Sequence, residues 1–78
     1  MVFVGPVFPG KITALASLDD FTYVSIGSVI YVVDRNVIVS KIEMKKERIE
    51  SLMILGDAII AVGQSSFYLI DCKTYGII

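Results

Sequence analysis

The residues of this sequence that could carry out a reaction are few, because the chain contains no His and only one Cys, Cys72. A cysteine nucleophile needs a neighbouring base to form its thiolate, and His commonly supplies it. A single thiol also cannot form a disulfide within the chain. Cys72 is therefore predicted to be chemically inert, and the composition predicts a protein that is not an enzyme and has no metal site or cofactor.

Three carboxylates, Asp19, Asp20 and Asp57, could be imagined as an acid–base pair or a hard-cation site. Paired carboxylates of glycosidase type need one carboxyl in an apolar pocket, and a calcium loop needs oxygen ligands at alternate positions closed by a Glu. Neither spacing occurs in this sequence. The three residues are predicted to be exposed turn residues.

The basic cluster of the sequence consists of Lys41, Lys45, Lys46 and Arg48. These cations could contact RNA phosphates, but Glu43, Glu47 and Glu50 are interleaved with them. The interleaving leaves about one positive unit of net charge, whereas salt-dependent nucleic-acid binding takes several uncompensated cations. We therefore interpret the cluster as a solvated loop and keep its four cations as weak candidates for RNA contact.

Length and composition indicate a small globular domain with an excess of apolar surface. The chain has 78 residues, of which 55% are hydrophobic, with a mean hydropathy of +0.76 and a net charge of -1. Apolar burial at roughly 25 cal/mol/Å² comes close to the conformational entropy lost at about 1.5 kcal/mol per residue, so the free energy of folding is near zero. Part of this apolar surface is therefore predicted to be buried against another structure.

Neither a targeting signal nor a membrane-spanning segment is expected from the sequence. Residues 1–10 lack a basic n-region and are broken by Pro6 and Pro9. The longest charge-free runs that follow, 21–33 and 58–70, are shorter than the roughly 20 residues of a transmembrane helix. A single unpaired Cys is typical of a reducing compartment, so an intracellular location is predicted.

Turn signals recur about every eight to ten residues and separate short runs rich in Val, Ile, Tyr and Phe. This spacing is typical of antiparallel strands joined by hairpins, because the gaps are too short for helical crossovers. Strands are predicted near residues 2–4, 12–17, 21–26, 29–34, 37–43, 49–54, 58–62, 66–71 and 75–78. A helix over 41–50 is the alternative for one segment, since Ser40 and Glu43 fit a capping box, but the period-two alternation of residues 37–44 favours the strand.

The second half of the chain repeats the first at an offset of 37 residues. The matched pairs are Ile12 and Ile49, Leu15 and Leu52, Asp20 and Asp57, Tyr31 and Tyr68, Val33 and Ile70, Asp34 and Asp71, and, with a slip of one residue, Gly27 and Gly63. A fixed period near 40 with four strands per unit is typical of a β-propeller blade. The predicted fold is all-β: about two consecutive four-stranded antiparallel blades of a WD-type β-propeller, which cannot close a ring alone.

The phase of the repeat predicts the organisation of the chain. Residues 1–4 would form the outer strand of a preceding blade, 5–11 a linker, 12–44 the first blade, 45–48 a charged turn between blades, and 49–78 a second blade with an incomplete outer strand. The positions predicted to be buried within or between blades are Ile12, Ala14, Val24, Val32, Ile49, Leu52, Ala61 and Leu69. Gly27 and Gly63 should lie at the turn between the second and third strands of each unit, and Asp34 and Asp71 should end the third strands.

Two strings carry a resemblance to a known family: FVGPVFPGKITALAS at residues 3–17 and DDFTYVSIGSVIYVVDRNVIV at residues 19–39. With them the chain resembles WD-repeat proteins, and among these the tandem-propeller subunit of the UTP-B subcomplex of the small-subunit processome. Val33 and Ile70 stand where WD repeats have Trp, and no Gly-His precedes the unit, so the match is to a degenerate WD repeat. The Gly-Pro-x-x-Pro element at residues 5–9 is its more specific part.

The resemblance implies a non-catalytic scaffold for protein–protein assembly in small-subunit ribosome biogenesis and pre-rRNA processing, located in the nucleolus. Its partners would be other propeller blades and protein subunits of a large ribonucleoprotein assembly, with weak or indirect RNA contact and neither a membrane nor a small-molecule substrate. The resemblance also implies that Asp34 and Asp71 hydrogen-bond the backbone at tight turns. An autonomous small β-domain that binds RNA directly is the alternative function.

Overall fold

The computed structural model of this chain describes residues 8–44 and 47–77. Over these residues it contains seven strands: β1 (Ala14–Leu18), β2 (Phe21–Ile26), β3 (Val29–Asp34), β4 (Val37–Glu43), β5 (Ser51–Leu55), β6 (Ala58–Val62) and β7 (Phe67–Asp71). They form two antiparallel sheets, one of four strands in the order β1-β2-β3-β4 and one of three in the order β5-β6-β7. The predicted all-β fold of successive hairpins is confirmed.

Most of the hairpin turns contain residues with a left-handed backbone, and the β6–β7 turn does not. Gly27 and Gly56 have φ values of 61° and 59°. Arg35 and Asn36, the two residues between β3 and β4, have φ values of 49° and 70°. Two successive positive φ values are characteristic of the type I′ turn, whose twist matches that of the flanking strands. Short turns of this kind fix the register of neighbouring strands and so decide which side chains share a face.

The two sheets have the same pairing register at an offset of 37 residues. Leu15 pairs with Val24 in the first sheet, and Leu52 pairs with Ala61 in the second. Every pair of β5 with β6, or of β6 with β7, is the counterpart of a pair of β1 with β2, or of β2 with β3. The repeat in the sequence is therefore also a repeat of strand pairing.

One face of each sheet supplies the hydrophobic core, and β1 lies beside β5. The buried core residues are Tyr23, Ile30, Val32, Ile42, Met44, Ile49, Leu52, Ile59, Ala61 and Ile70. Side chains alternate between the two faces of a strand, so residues next to these in β1–β3 and β5–β7 point away from the core. Each sheet thus has a second face that this core does not include.

The segment between the sheets is hydrogen-bonded to the β2–β3 turn. The Met44 amide donates to the Ser28 carbonyl at 2.7 Å, and the Ile49 amide donates to the Gly27 carbonyl at 2.8 Å. Residues 41–43 belong to β4, and the described residues of 41–50 include no helix, so the helical alternative is not adopted there. Residues 45 and 46 of the predicted charged turn lie outside the described residues.

Some predicted strand bounds are wrong at their ends. β5 begins at Ser51 rather than at residue 49, because the Ile49 amide bonds to the first sheet instead of to a neighbour in its own. β1 runs from Ala14 to Leu18 rather than over 12–17, because its pairing with β2 continues to the last position before the turn. At 75–78 the structure describes an isolated bridge between Ile77 and Ile70. The predicted strand at 2–4 lies outside the described residues.

The burial predictions are right for most positions and wrong for two. Val24, Val32, Ile49, Leu52 and Ala61 are buried and Ala14 is half-buried, but Ile12 is 49% and Leu69 is 37% exposed. Leu69 pairs with Ile60 on the side of its sheet that faces away from the core. Ile12 borders the side of the first sheet that likewise faces away from the core. Both residues lie on faces that no other described part of the chain fully covers.

Candidate interaction surfaces

The face of the three-stranded sheet that points away from the core is apolar and largely uncovered by the described residues. Strand pairing places nine side chains on this face: Ser51, Met53, Leu55, Ala58, Ile60, Val62, Phe67, Leu69 and Asp71. Met53, Leu55 and Phe67 are 53%, 69% and 67% exposed. Contiguous apolar surface of this kind marks interaction sites in soluble proteins. We call these nine residues the outer face.

The four-stranded sheet has an open groove of about 240 Å³ on the side away from its own core face. The groove is lined by Phe8, Ile12, Leu15, Thr22, Val24, Val33 and Asn36. Leu15 is 61% exposed, whereas Val24 and Val33 are buried. The Phe8 ring packs on Tyr31 with ring centroids 5.3 Å apart. We call these seven lining residues the groove.

Neither surface was predicted as a site, although the sequence contains a signal for one of them. β5 reads Ser-Leu-Met-Ile-Leu, with apolar residues at successive positions rather than at alternate ones. A strand that is apolar on both sides is typical of sheets covered on both faces. The signal therefore predicts that something covers the outer face, without saying what.

The predicted turn aspartates make local contacts. The Lys73 amide donates to Asp71 Oδ1 at 2.7 Å, which is an Asx-type turn. Arg35 Nε lies 3.8 Å from Asp34 Oδ1, and Arg35 Nη2 lies 3.3 Å from Asp20 Oδ2. These exposed ion pairs contribute little to stability in water. The expected hydrogen bond with the backbone is thus observed for Asp71, whereas Asp34 contacts the side chain of Arg35.

The two predicted turn glycines follow β2 and β6 and differ in what an added Cβ would meet. Gly27 has a φ of 61° and open space where a Cβ would be, so its backbone conformation is what favours glycine. Gly63 has no left-handed φ, but a Cβ there would collide with the carboxyl group of Glu47. Gly63 therefore leaves room for the end of the Glu47 side chain, which an added Cβ would displace.

Glu47 joins the segment between the sheets to the β6–β7 loop. Its Oε1 accepts a hydrogen bond from the Ser65 amide at 3.2 Å, and its Oε2 accepts one from the Tyr68 hydroxyl at 3.0 Å. These bonds lower the pKa of Glu47, with the bond from Ser65 contributing most, and the bond to Glu47 raises the pKa of Tyr68. In the sequence Glu47 stands out only as a charge that offsets its neighbours, and no local pattern signals this contact.

The candidate RNA-contact residues are only partly described. Lys41 Nζ lies 3.4 Å from Glu43 Oε1, so its charge is locally compensated. Arg48 is exposed. Lys45 and Lys46 lie outside the described residues. The described part of the cluster thus contains two exposed cations, of which Lys41 is paired with a carboxylate.

Cys72 lies beside the core. Its amide donates to the Asp57 carbonyl at 2.9 Å, just as the Arg35 amide, 37 residues earlier, donates to the Asp20 carbonyl. Burial, with a smaller contribution from Cys72, raises the pKa of Tyr23 to about 12. Within residues 8–44 and 47–77, no three His, Cys, Asp or Glu side chains are grouped as a metal site would require. That part of the chain also has no helix of the length and apolar character needed to cross a membrane.

Comparisons with known proteins place this fold beside one solved structure. No protein-family model matches the chain, and no curated protein matches it. The crystal structure of the computationally designed Ika4 protein is similar over 95% of this chain, with a TM-score of 0.82 and 13% sequence identity. This chain spans 49% of that chain, or about half its length. At this identity the similarity concerns the fold alone.

Proposed function

We propose that this chain is a non-catalytic module for protein–protein assembly, formed by two consecutive blades of a WD-type β-propeller. The observation that carries the proposal is the shared pairing register of the two sheets at an offset of 37 residues, together with their packing through one face each. Propeller blades are four-stranded sheets repeated around a channel. The bridge between Ile70 and Ile77 would begin the fourth strand of the second blade.

The two apolar surfaces support a role in assembly. Among the nine residues of the outer face, only Asp71 is charged, and the groove contains no charged residue. The cores of protein–protein interfaces are depleted in charge in the same way. Partners that cover these surfaces would be other propeller blades or protein subunits.

The assembly that we propose is the small-subunit processome, in the nucleolus. This narrower proposal rests on the resemblance carried by residues 3–17 and 19–39 to the tandem-propeller subunit of the UTP-B subcomplex. It is tested by expressing the tagged chain in cells and sedimenting the lysate. The tag should travel with particles that contain precursor rRNA of the small subunit, and a tag that never leaves the top of the gradient would contradict the proposal.

Direct RNA binding is the alternative, and the ion pair between Lys41 and Glu43 does not favour it. The two functions differ in their response to salt, because each phosphate contact releases counterions. We expect weak binding of the isolated chain to a precursor rRNA fragment, with little change in affinity as salt rises. A steep loss of affinity with salt would indicate several phosphate contacts and would support the RNA-binding alternative.

A further inference from the structure

We infer that the outer face of one chain docks into the groove of a second copy, head to tail. The inference rests on the proposed blade arrangement, though not on the ribosomal setting. It follows from comparing the residues of each uncovered surface with the residues 37 positions away in the other sheet.

The groove is the repeat counterpart of a surface that is already buried inside the chain. Five of its lining residues are Ile12, Leu15, Thr22, Val24 and Val33. Their counterparts 37 residues later are Ile49, Leu52, Ile59, Ala61 and Ile70, all of which are buried in the core between the two sheets. The groove is thus the side of the first sheet that corresponds to the covered side of the second.

The outer face is the repeat counterpart of the core-facing side of the first sheet. Met53, Ile60, Phe67 and Leu69 are the counterparts of Ala16, Tyr23, Ile30 and Val32, which lie on the core-facing side of the first sheet. The outer face therefore corresponds to the surface that packs on the second sheet. Placing the outer face of one copy against the groove of another would repeat, between chains, the joint that each chain already has between its own sheets.

This arrangement explains why the occupant should be a second copy. Every chain carries both halves of the joint, and the two halves are different surfaces, so the contact is heterologous. Heterologous contacts form a ring where the rotation closes. Propellers typically have four to eight blades, so closure corresponds to about two to four copies of a two-blade chain.

Sedimentation equilibrium of the full 78-residue chain and of three variants tests the inference. The variants are Leu15→Glu in the groove, Phe67→Glu on the outer face, and Val37→Glu as the control. These three residues are 61%, 67% and 60% exposed, so each Glu can reach solvent in the monomer. Val33 lines the groove, so its neighbour Asp34 points to the other side of the sheet. Val37 pairs with Asp34 and therefore shares that other side, away from the groove.

The wild type and Val37→Glu should form a single discrete assembly, and each of the other variants alone should remain monomeric. An equimolar mixture of Leu15→Glu and Phe67→Glu should give a species of twice the chain mass, because one intact groove and one intact outer face remain. Far-UV circular dichroism checks that the variants fold. A wild-type monomer at every concentration, or an assembly that neither Leu15→Glu nor Phe67→Glu disrupts, would overturn the inference while leaving the sedimentation with precursor rRNA to decide the proposed function.

Discussion

Leu15 and Leu52 are the same residue type at equivalent positions of β1 and β5, and they differ in how much of each side chain is covered. Leu52 is 8% exposed within the core, whereas Leu15 is 61% exposed in the groove. Replacing each of them by Ala therefore measures the difference between a closed joint and an open one. The comparison controls for residue type and for strand position.

The expected magnitudes follow from the exposed fractions. Leu→Ala removes three carbons, which are worth about 2.4 kcal/mol of transfer free energy when fully buried. A cavity adds about 1 kcal/mol at a site that cannot collapse, so Leu52→Ala should lower the free energy of unfolding by about 3 kcal/mol. About four-tenths of the Leu15 side chain is covered and its site is open, so Leu15→Ala should cost about 1 kcal/mol or less.

The assay is urea unfolding of both variants at a protein concentration low enough for the wild type to be monomeric. Leu52→Ala should shift the midpoint to much lower urea, or leave the chain unfolded, while Leu15→Ala stays near the wild type. At concentrations where copies associate, the cost of Leu15→Ala should rise, because association with a folded partner stabilises the native state. Equal costs for the two variants in the monomer would refute the view that only one of these faces is covered.

Four further outcomes are expected. Gly27→Ala should lower the free energy of unfolding by about 1 kcal/mol because of its positive φ. Gly63→Ala should also lower the free energy of unfolding, but not in a Glu47→Ala background, where the colliding carboxyl group is absent. Urea midpoints of the single and double mutants measure both effects. Because its hydrogen bonds lower the pKa of Glu47, its carboxylate stabilises the fold at pH values above its ordinary pKa of 4.5, and this contribution is lost as the pH falls through the lowered pKa. Glu47→Gln should therefore make the free energy of unfolding depend less on pH in the acid range. The raised pKa of Tyr23 means that the native state loses stability as pH rises from 10.0 towards about 12. Tyr23→Phe should therefore remove the last step of tyrosinate absorbance in an alkaline titration and delay alkaline unfolding.

Strand pairing was predictable because it depends on local signals. Turn residues such as Gly27 and Asn36 adopt the left-handed conformations that close the hairpins, and two-residue turns then fix the register. Since the sequence repeats at 37 residues, the second sheet follows the register of the first. The strand ends were less predictable, because the amide of Ile49 bonds to the turn of the other sheet.

The covered and uncovered faces were not predictable from the same signals. Ile12 and Leu69 have the apolar character of buried strand residues, but each lies on a side that lacks a neighbouring sheet among the described residues. A pattern of apolar residues indicates that a face should be covered, not that the same chain covers it. The contact of Glu47 with Gly63 was equally hidden, because it joins two loops that no periodic pattern relates.

When sheets that are apolar on both sides stack in an open row, each contact between neighbours covers one face of each sheet. The first and the last sheet of the row therefore each keep one uncovered apolar face. Adding sheets lengthens the row but leaves these two end faces uncovered, and only closure into a ring removes them. Closure requires the rotations at successive joints to add up to one full turn. In this chain the joint between the sheets and the joint we propose between copies are built from equivalent residues, Leu52 and Leu15 among them, so the rotation between the chain's own two sheets would also set the number of copies in the ring.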